Sequence, residues 1–253
     1  MPFGYVAKVL GVFNRYSFVQ ILTMSLPGVH FRQDGKVHGN QTVWQRMAAS
    51  HPGMRLGEPV DAIERGESIR VTTRRARYEF DQLVWAAPPM AFPRVVKDAT
   101  AEEVELFSKV KTYKRAVIVA RVEGLPTGVL WGFRTTERDN LPPSHPRVMY
   151  ETETGSKIFK FFPGFGEGET VKDLSDRITE LVRSLGATEV EILDVNVWDY
   201  YPNHGRDAVL AGAWRRQEAL QGQNKTWFVG ELFAGLSVPL AVEYSADLVE
   251  RNF

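Results

Sequence analysis

Lys225-Thr226-Trp227-Phe228-Val229-Gly230-Glu231-Leu232-Phe233-Ala234-Gly235-Leu236-Ser237-Val238 is the stretch on which the fold turns. Residues 225–229 form a compact apolar run of strand length, and Gly230-Glu231 breaks it. From Leu236 to Val249 apolar residues return at helical spacing through Val238, Ala241, Val242, Ser245, Leu248 and Val249. A strand that passes through a glycine turn into a helix leaves unpaired backbone N–H groups at the helix start, where they can hold anionic or electron-rich ligand atoms. The stretch predicts a ligand seat.

Working outward, the chain alternates between helical and strand periods. Val6, Val9, Leu10 and Phe13 predict a helix over 3–18, and Pro27-Gly28 with Gln33-Asp34-Gly35 mark turns. Asn40 caps a second helix with Val43, Trp44 and Met47 on one face, stopped by His51-Pro52-Gly53. Short strands follow over 58–63, 68–73, 77–80 and 83–87, the last closed by Pro88-Pro89. Thr100 and Glu103 form the capping box of a helix over 101–110. Strands over 116–121, 129–133, 148–150 and 157–162 make a second sheet, with a proline-bearing loop over 135–146. Thr170 or Asp173 starts a helix to about Leu185. Residues 190–198 form a strand, and Asp199-Tyr200-Tyr201-Pro202-Asn203-His204-Gly205 reads as an aromatic turn. The tryptophans Trp44, Trp85, Trp131, Trp198 and Trp227 are assigned to the core.

The 253 residues are 43% apolar and 25% charged, a globular composition. Lys plus Arg equals Asp plus Glu at 31 each, so no net field draws nucleic acid or an anionic membrane. The absence of cysteine excludes disulfides, thiolate catalysis and thiolate metal centres, and suits a reducing compartment such as the cytoplasm. No apolar run reaches the ~20 residues of a membrane span. His30, His51 and His145 stand at unrelated spacings, so no metal site is expected.

Four stretches, in order, resemble the C-terminal part of the flavin-containing amine oxidoreductases, the superfamily of monoamine oxidase and protoporphyrinogen oxidase. They are Gly39-Asn40-Gln41-Thr42-Val43-Trp44, Glu58-Pro59-Val60-Asp61-Ala62-Ile63, Phe80-Asp81-Gln82-Leu83-Val84-Trp85-Ala86-Ala87-Pro88, and Phe228-Val229-Gly230-Glu231 through Ser237-Val238. The resemblance implies a mixed α/β (α+β) fold. Residues 36–110 and 201–253 would be the remnant of a Rossmann-like FAD-binding domain, and 1–35 and 111–200 a sheet-containing substrate domain. It implies FAD as cofactor, with Val60 giving a backbone contact to adenine, Gly230 and Glu231 near the pyrophosphate and ribityl chain, and Ser237 and Val238 facing the flavin's carbonyl edge.

The departure from the family is at the front. The Gly-x-Gly-x-x-Gly turn that seats the pyrophosphate is not found, and His38 stands where the family has the first glycine of a Gly-Gly pair. Without that strand and crossover, an exposed apolar face of several hundred Å² would cost roughly ten kcal/mol at about 25 cal/mol per Å². The expectation is therefore a complementing polypeptide, a second copy of the chain, or a region rebuilt into a different fold, the last of which would permit an enzyme without FAD.

Tyr200, Tyr201, His204 and Trp214 are the candidate catalytic or substrate-lining residues, since His moves protons near neutral pH and Tyr polarises carbonyls. Three functions follow as expectations. The first is an FAD-dependent oxidoreductase acting on a small organic substrate. The second is a flavin-independent isomerase or cyclase of an apolar secondary metabolite in the inherited pocket. The third is a non-catalytic partner subunit.

Overall fold

The computed structural model describes residues 31–33, 36–38, 40–132, 146, 148–235 and 237–253, and the chain divides into two units. One contains Thr42–Thr112 and Tyr201–Phe253, the other the described residues of Arg15–Gln41 and Tyr113–Tyr200. The helix expected over 3–18 and most of the loop expected over 135–146 lie outside the described residues. Several sheets combine with helices in a mixed α/β architecture.

The second unit is built on the alternation of strand β7 (Val110–Glu123), in which Ala116, Ile118, Ala120 and Val122 all point into one core. Its neighbours give the sheet order β11 (Glu189–His204), β7, β10 (Ile158–Phe161), β9 (Val148–Glu151), β8 (Leu130–Gly132). The antiparallel register sets Phe159 opposite Ala120 and Phe161 opposite Ile118, so large side chains stand beside small ones. Helix α4 (Val171–Ser184) covers that face with Leu174, Ile178 and Val182, four residues apart and fully buried. Of the two starts the sequence allows, Thr170 is the N-cap, and it makes a complete capping box with Asp173. A short antiparallel hairpin, β1 (Phe31–Gln33) and β2 (Lys36–His38), also belongs to this unit.

In the first unit, helix α1 (Asn40–Ala49) precedes an antiparallel meander of β3 (Val60–Arg65), β4 (Ile69–Thr73) and β5 (Arg77–Phe80). A separate parallel pair joins β6 (Leu83–Trp85) to β12 (Thr226–Phe228), with Phe228 opposite Trp85. Around them lie α2 (Phe92–Val95), α3 (Ala101–Ser108), α5 (Arg206–Leu210), α6 (Ala213–Ala219), α7 (Glu231–Ala234) and α8 (Val238–Asn252). Their core gathers Ile63, Trp85, Phe92, Phe107, Phe228 and Phe233. Thr100 and Glu103 make the expected capping box on α3.

Three expectations need correction. The segment 199–205 is not a turn: β11 continues through it to His204, bending at Tyr201, whose φ is 56°. Trp198 is half exposed because the inward residues of β11 change phase from Val190 and Ile192 to Val195 and Val197, which turns the even position 198 outward. Trp44 is exposed as well, with Val43 and Met47 beside it, so the apolar face of α1 exists but nothing among the described residues covers it.

Candidate functional site

The strand, the glycine turn and the later helix of that stretch all form, with residue 236 outside the described residues. β12 ends at Phe228, Val229 N–H still bonds back to Trp85 O at 3.0 Å, and Gly230 then turns the chain with φ 103° and ψ −170°. Gly235 repeats this conformation at φ 109° and ψ −176°, between α7 and the cap of α8. Both fall in a region that only glycine adopts without strain, which explains why glycine occupies both bends.

The start of α8 can be accounted for donor by donor. Ser237 N–H bonds to Gly235 O at 3.0 Å, and Ser237 Oγ accepts the Leu240 N–H at 3.4 Å. Pro239 has no N–H. Of the four amides that a helix start leaves without intrahelical partners, the one at Val238 has no acceptor among the described residues. It stands at the positive end of a 15-residue helix. Glu231 opens α7 half-buried, and burial pushes its carboxyl above the ordinary range.

The strand feeding this turn is held from two sides. Because Val229 N–H faces β6, the N–H and C=O of Phe228 face the other way. There the Gln221 side chain takes both, accepting the N–H at Oε1 and donating Nε2 to the C=O, each at 2.8 Å. Gln221 Nε2 also reaches Tyr244 Oη on α8 at 2.8 Å, tying the end of the strand to the helix. At the start of β12, Thr226 Oγ1 accepts from Arg65 at 3.2 Å. Beneath the turn, Phe228 stacks on Phe233 with centroids 5.6 Å apart and leans on Phe92 and Phe107.

Val60 opens β3 with a largely exposed side chain, three residues before Ile63 of the same core. Tyr200 is exposed and falls in the other unit, while Tyr201 sits at the bend of β11 with its carbonyl accepting from Asn203 Nδ2. Trp214 is half-buried on α6. His204 is buried and lines a cavity of about 350 Å³ with Leu106, Lys109, Asp207 and Arg216. That wall includes none of Tyr200, Tyr201 and Trp214, so the four candidates do not form one cluster there. Arg216 grips Glu102 through two bonds of 2.6 and 2.7 Å and also meets Glu105, which Lys109 reaches at 2.6 Å. The Arg216 hydrogen bond, reinforced by Lys109, holds the Glu105 carboxyl down at about 2.

Arg65, Gln217 and Gln221 escaped the sequence reading. A glutamine carries no periodic signal, and Arg65 lies beyond the strand read over 58–63.

No protein-family model matches the chain, and no curated protein does. Solved structures do. The CLA-producing fatty acid isomerase from P. acnes superposes with a TM-score of 0.80 at 22% identity, over 98% of this chain and 58% of that one. A candidate protoporphyrinogen oxidase from Exiguobacterium sp. 255-15 gives 0.57 at 13%, over 97% and 58%. Wild-type putrescine oxidase bound to putrescine gives 0.53 at 15%, over 84% and 53%. The chain thus spans little more than half the length of these structures. Among the described residues no helix is long and apolar enough to cross a membrane. The fold of this chain is similar to that of these structures over most of its length.

Proposed function

We propose that the chain carries the flavin-edge and substrate portions of an FAD-dependent oxidoreductase, with the rest of the nucleotide seat supplied by a further segment or partner. The observation that carries this reading is the passage from β12 through Gly230 to the Val238 amide, which has no acceptor among the described residues. The residues fit the group: two glycines in side-chain-free conformations let a ligand approach the backbone closely, and one helix-start donor awaits an acceptor. Bound there, FAD would supply hydride acceptance.

The chain's own groups would orient and exclude. Val238 N–H would donate to a carbonyl oxygen on the ring edge, with Ser237 holding that amide's direction by capping α8. Gly230 and Glu231 would lie along the linker, and Val60 would offer backbone to the adenine end. Burial keeps a proton on Glu231 to higher pH than on an exposed glutamate, limiting negative charge next to a phosphate-bearing ligand. The phenylalanine layer beneath the turn keeps water from the seat. In this reading Thr42–Thr112 with Tyr201–Phe253 forms the cofactor side, and the five-stranded sheet unit the substrate side.

A second reading is favoured by one observation. The likeness to the fatty acid isomerase is much closer, at a TM-score of 0.80, than that to putrescine oxidase, at 0.53. On this reading the substrate would be an unsaturated fatty acid and the reaction an isomerisation of it. Incubation of the complemented protein and FAD with such an acid, followed by mass analysis, separates the two. A product lighter by two hydrogens supports the oxidoreductase, an unchanged mass with a displaced double bond supports the isomerase, and an unaltered substrate counts against both.

A further inference from the structure

The five-stranded sheet has a second face, and the register says what stands on it. Met149, Phe159 and Phe161 are buried in the core under α4, so by alternation Val148, Tyr150, Ile158, Lys160 and Phe162 point the other way. Tyr150 lies directly opposite Lys160 on β10, with Leu130 of β8 on its other side, and Lys160 lies opposite Val119 of β7. Residues opposed in this way hold their Cβ atoms about 5 Å apart. The Tyr150 ring stacks on that of Phe162 with centroids 5.7 Å apart. Both polar side chains are half-buried, yet neither the Lys160 ammonium nor the Tyr150 hydroxyl has a hydrogen bond or ion pair among the described residues. Glu151, next in sequence to Tyr150, is buried on the opposite face and held there by the N–H groups of Gly128 and Lys157. Arg121, which alternates with Ala120 and Val122 and so shares the face with Lys160, is already paired with Glu191.

We infer that Lys160 and Tyr150 are the carboxylate anchor of a binding site for an apolar monocarboxylic acid on this face of the sheet. A half-buried cation on an apolar surface lacks both water and a counter-ion, and a ligand carboxylate supplies the second. Lys160 Nζ donates to one carboxylate oxygen and Tyr150 Oη to the other. Burial pushes the Tyr150 hydroxyl above its ordinary range, so it keeps the hydrogen that it donates. One unpaired cation matches one negative charge, which favours a monocarboxylate over a phosphate or a dicarboxylate. Val119, Val148, Ile158 and the Phe162 ring take the hydrocarbon chain. Gly132, opposite Val148 on β8, leaves that end of the row open, since no atom among the described residues lies within 4 Å of where its Cβ would stand. As a ligand site the pair stands on the sheet alone; as a substrate anchor it rests on the isomerase reading above.

Calorimetric titration of the full chain with decanoate, and with decanol as a probe of the same chain length without the charge, tests it. Lys160→Met keeps the stem and removes the ammonium, and Tyr150→Phe keeps the stacked ring and removes the O–H. Each is expected to weaken decanoate binding about tenfold or more while decanol binding stays as in wild type, and Lys160→Arg should bind decanoate nearly as wild type does. Wild-type protein that takes up no decanoate, folded variants that bind it as wild type does, or variants that lose decanol in equal measure overturn the site. If Lys160→Met does not fold, Tyr150→Phe decides. Decanoate held by this pair, together with an unsaturated acid that the complemented protein leaves unaltered, upholds the site and removes only the isomerase reading.

Discussion

The guanidinium of Arg65 lies flat against the carboxylate of Glu103, Nη1 to Oε1 at 2.7 Å and Nη2 to Oε2 at 2.8 Å, with each side chain only 1% exposed. The same guanidinium donates Nε to Asp98 Oδ2, Nη2 to Asp98 O and Nη1 to Thr226 Oγ1, so all five of its N–H groups have acceptors. Glu103 also receives the Thr100 N–H at 2.7 Å in the capping box of α3. One pair therefore ties β3, α3 and the first residue of β12 together. Removing one partner strands a buried charge, so Arg65→Met is expected to lower stability by about 3–5 kcal/mol. Urea unfolding of Arg65→Met, Glu103→Leu and the double variant checks this. The double variant should recover part of the loss, and simple addition of the two losses would show that the pair does not act as a unit.

The strand end is held by a side chain in place of a neighbouring strand. Gln221→Leu would leave the Phe228 N–H and C=O without their partner, at about 1–3 kcal/mol for each buried group. Hydrogen exchange should show the Phe228 amide losing protection while the β7–β10 amides keep theirs. Equal loss in both units would contradict a local role.

Glu231 offers a pH test in which stability and site properties oppose each other. Its folded carboxyl titrates above the unfolded value, so the wild type loses stability as pH rises from the unfolded pKa through the folded one. Gln at this position does not ionise. Glu231→Gln is therefore expected to unfold at higher urea than wild type at pH 8 and at nearly the same urea at pH 4. A variant less stable than wild type at pH 8 would show that the charged form is the favoured one.

Glu151 behaves in the opposite sense. Burial would raise its pKa, but backbone N–H groups of Lys157, Gly128 and Gly155 outweigh burial and hold it below the ordinary range. Its stabilisation is present above the unfolded pKa and lost as pH falls through the folded one. Glu151→Gln should be less stable than wild type at neutral pH, and the gap should close in acid. A gap of constant size would assign the effect to packing.

Much of this was legible in the chain. The strand, glycine turn and helix within Thr226 to Asn252 follow from apolar period and Gly230, and the Thr100–Glu103 capping box follows from its Thr-x-x-Glu spacing. These signals are local, and so is their physics. What was missed depends on distant partners. Trp44 has the spacing of a packed face, but spacing does not say what covers it. The phase change between Ile192 and Val195 turned Trp198 outward without any proline or glycine to mark it. Tyr201 adopts a left-handed backbone that kinks β11 where a break was expected. Gln217 and Gln221 act through backbone atoms 15 and 7 residues away, and no residue pattern encodes that.

Flavin retention tests the central claim most directly. The chain should be purified in the presence of FAD, alone and with a complementing nucleotide-binding segment, and its visible absorbance followed through gel filtration. The account predicts that flavin co-elutes with the complemented wild-type protein and is lost from Gly230→Val, whose side chain would occupy a backbone conformation open only to glycine. Wild-type protein that elutes colourless in every pairing, or a folded Gly230→Val protein that keeps its flavin, would contradict it.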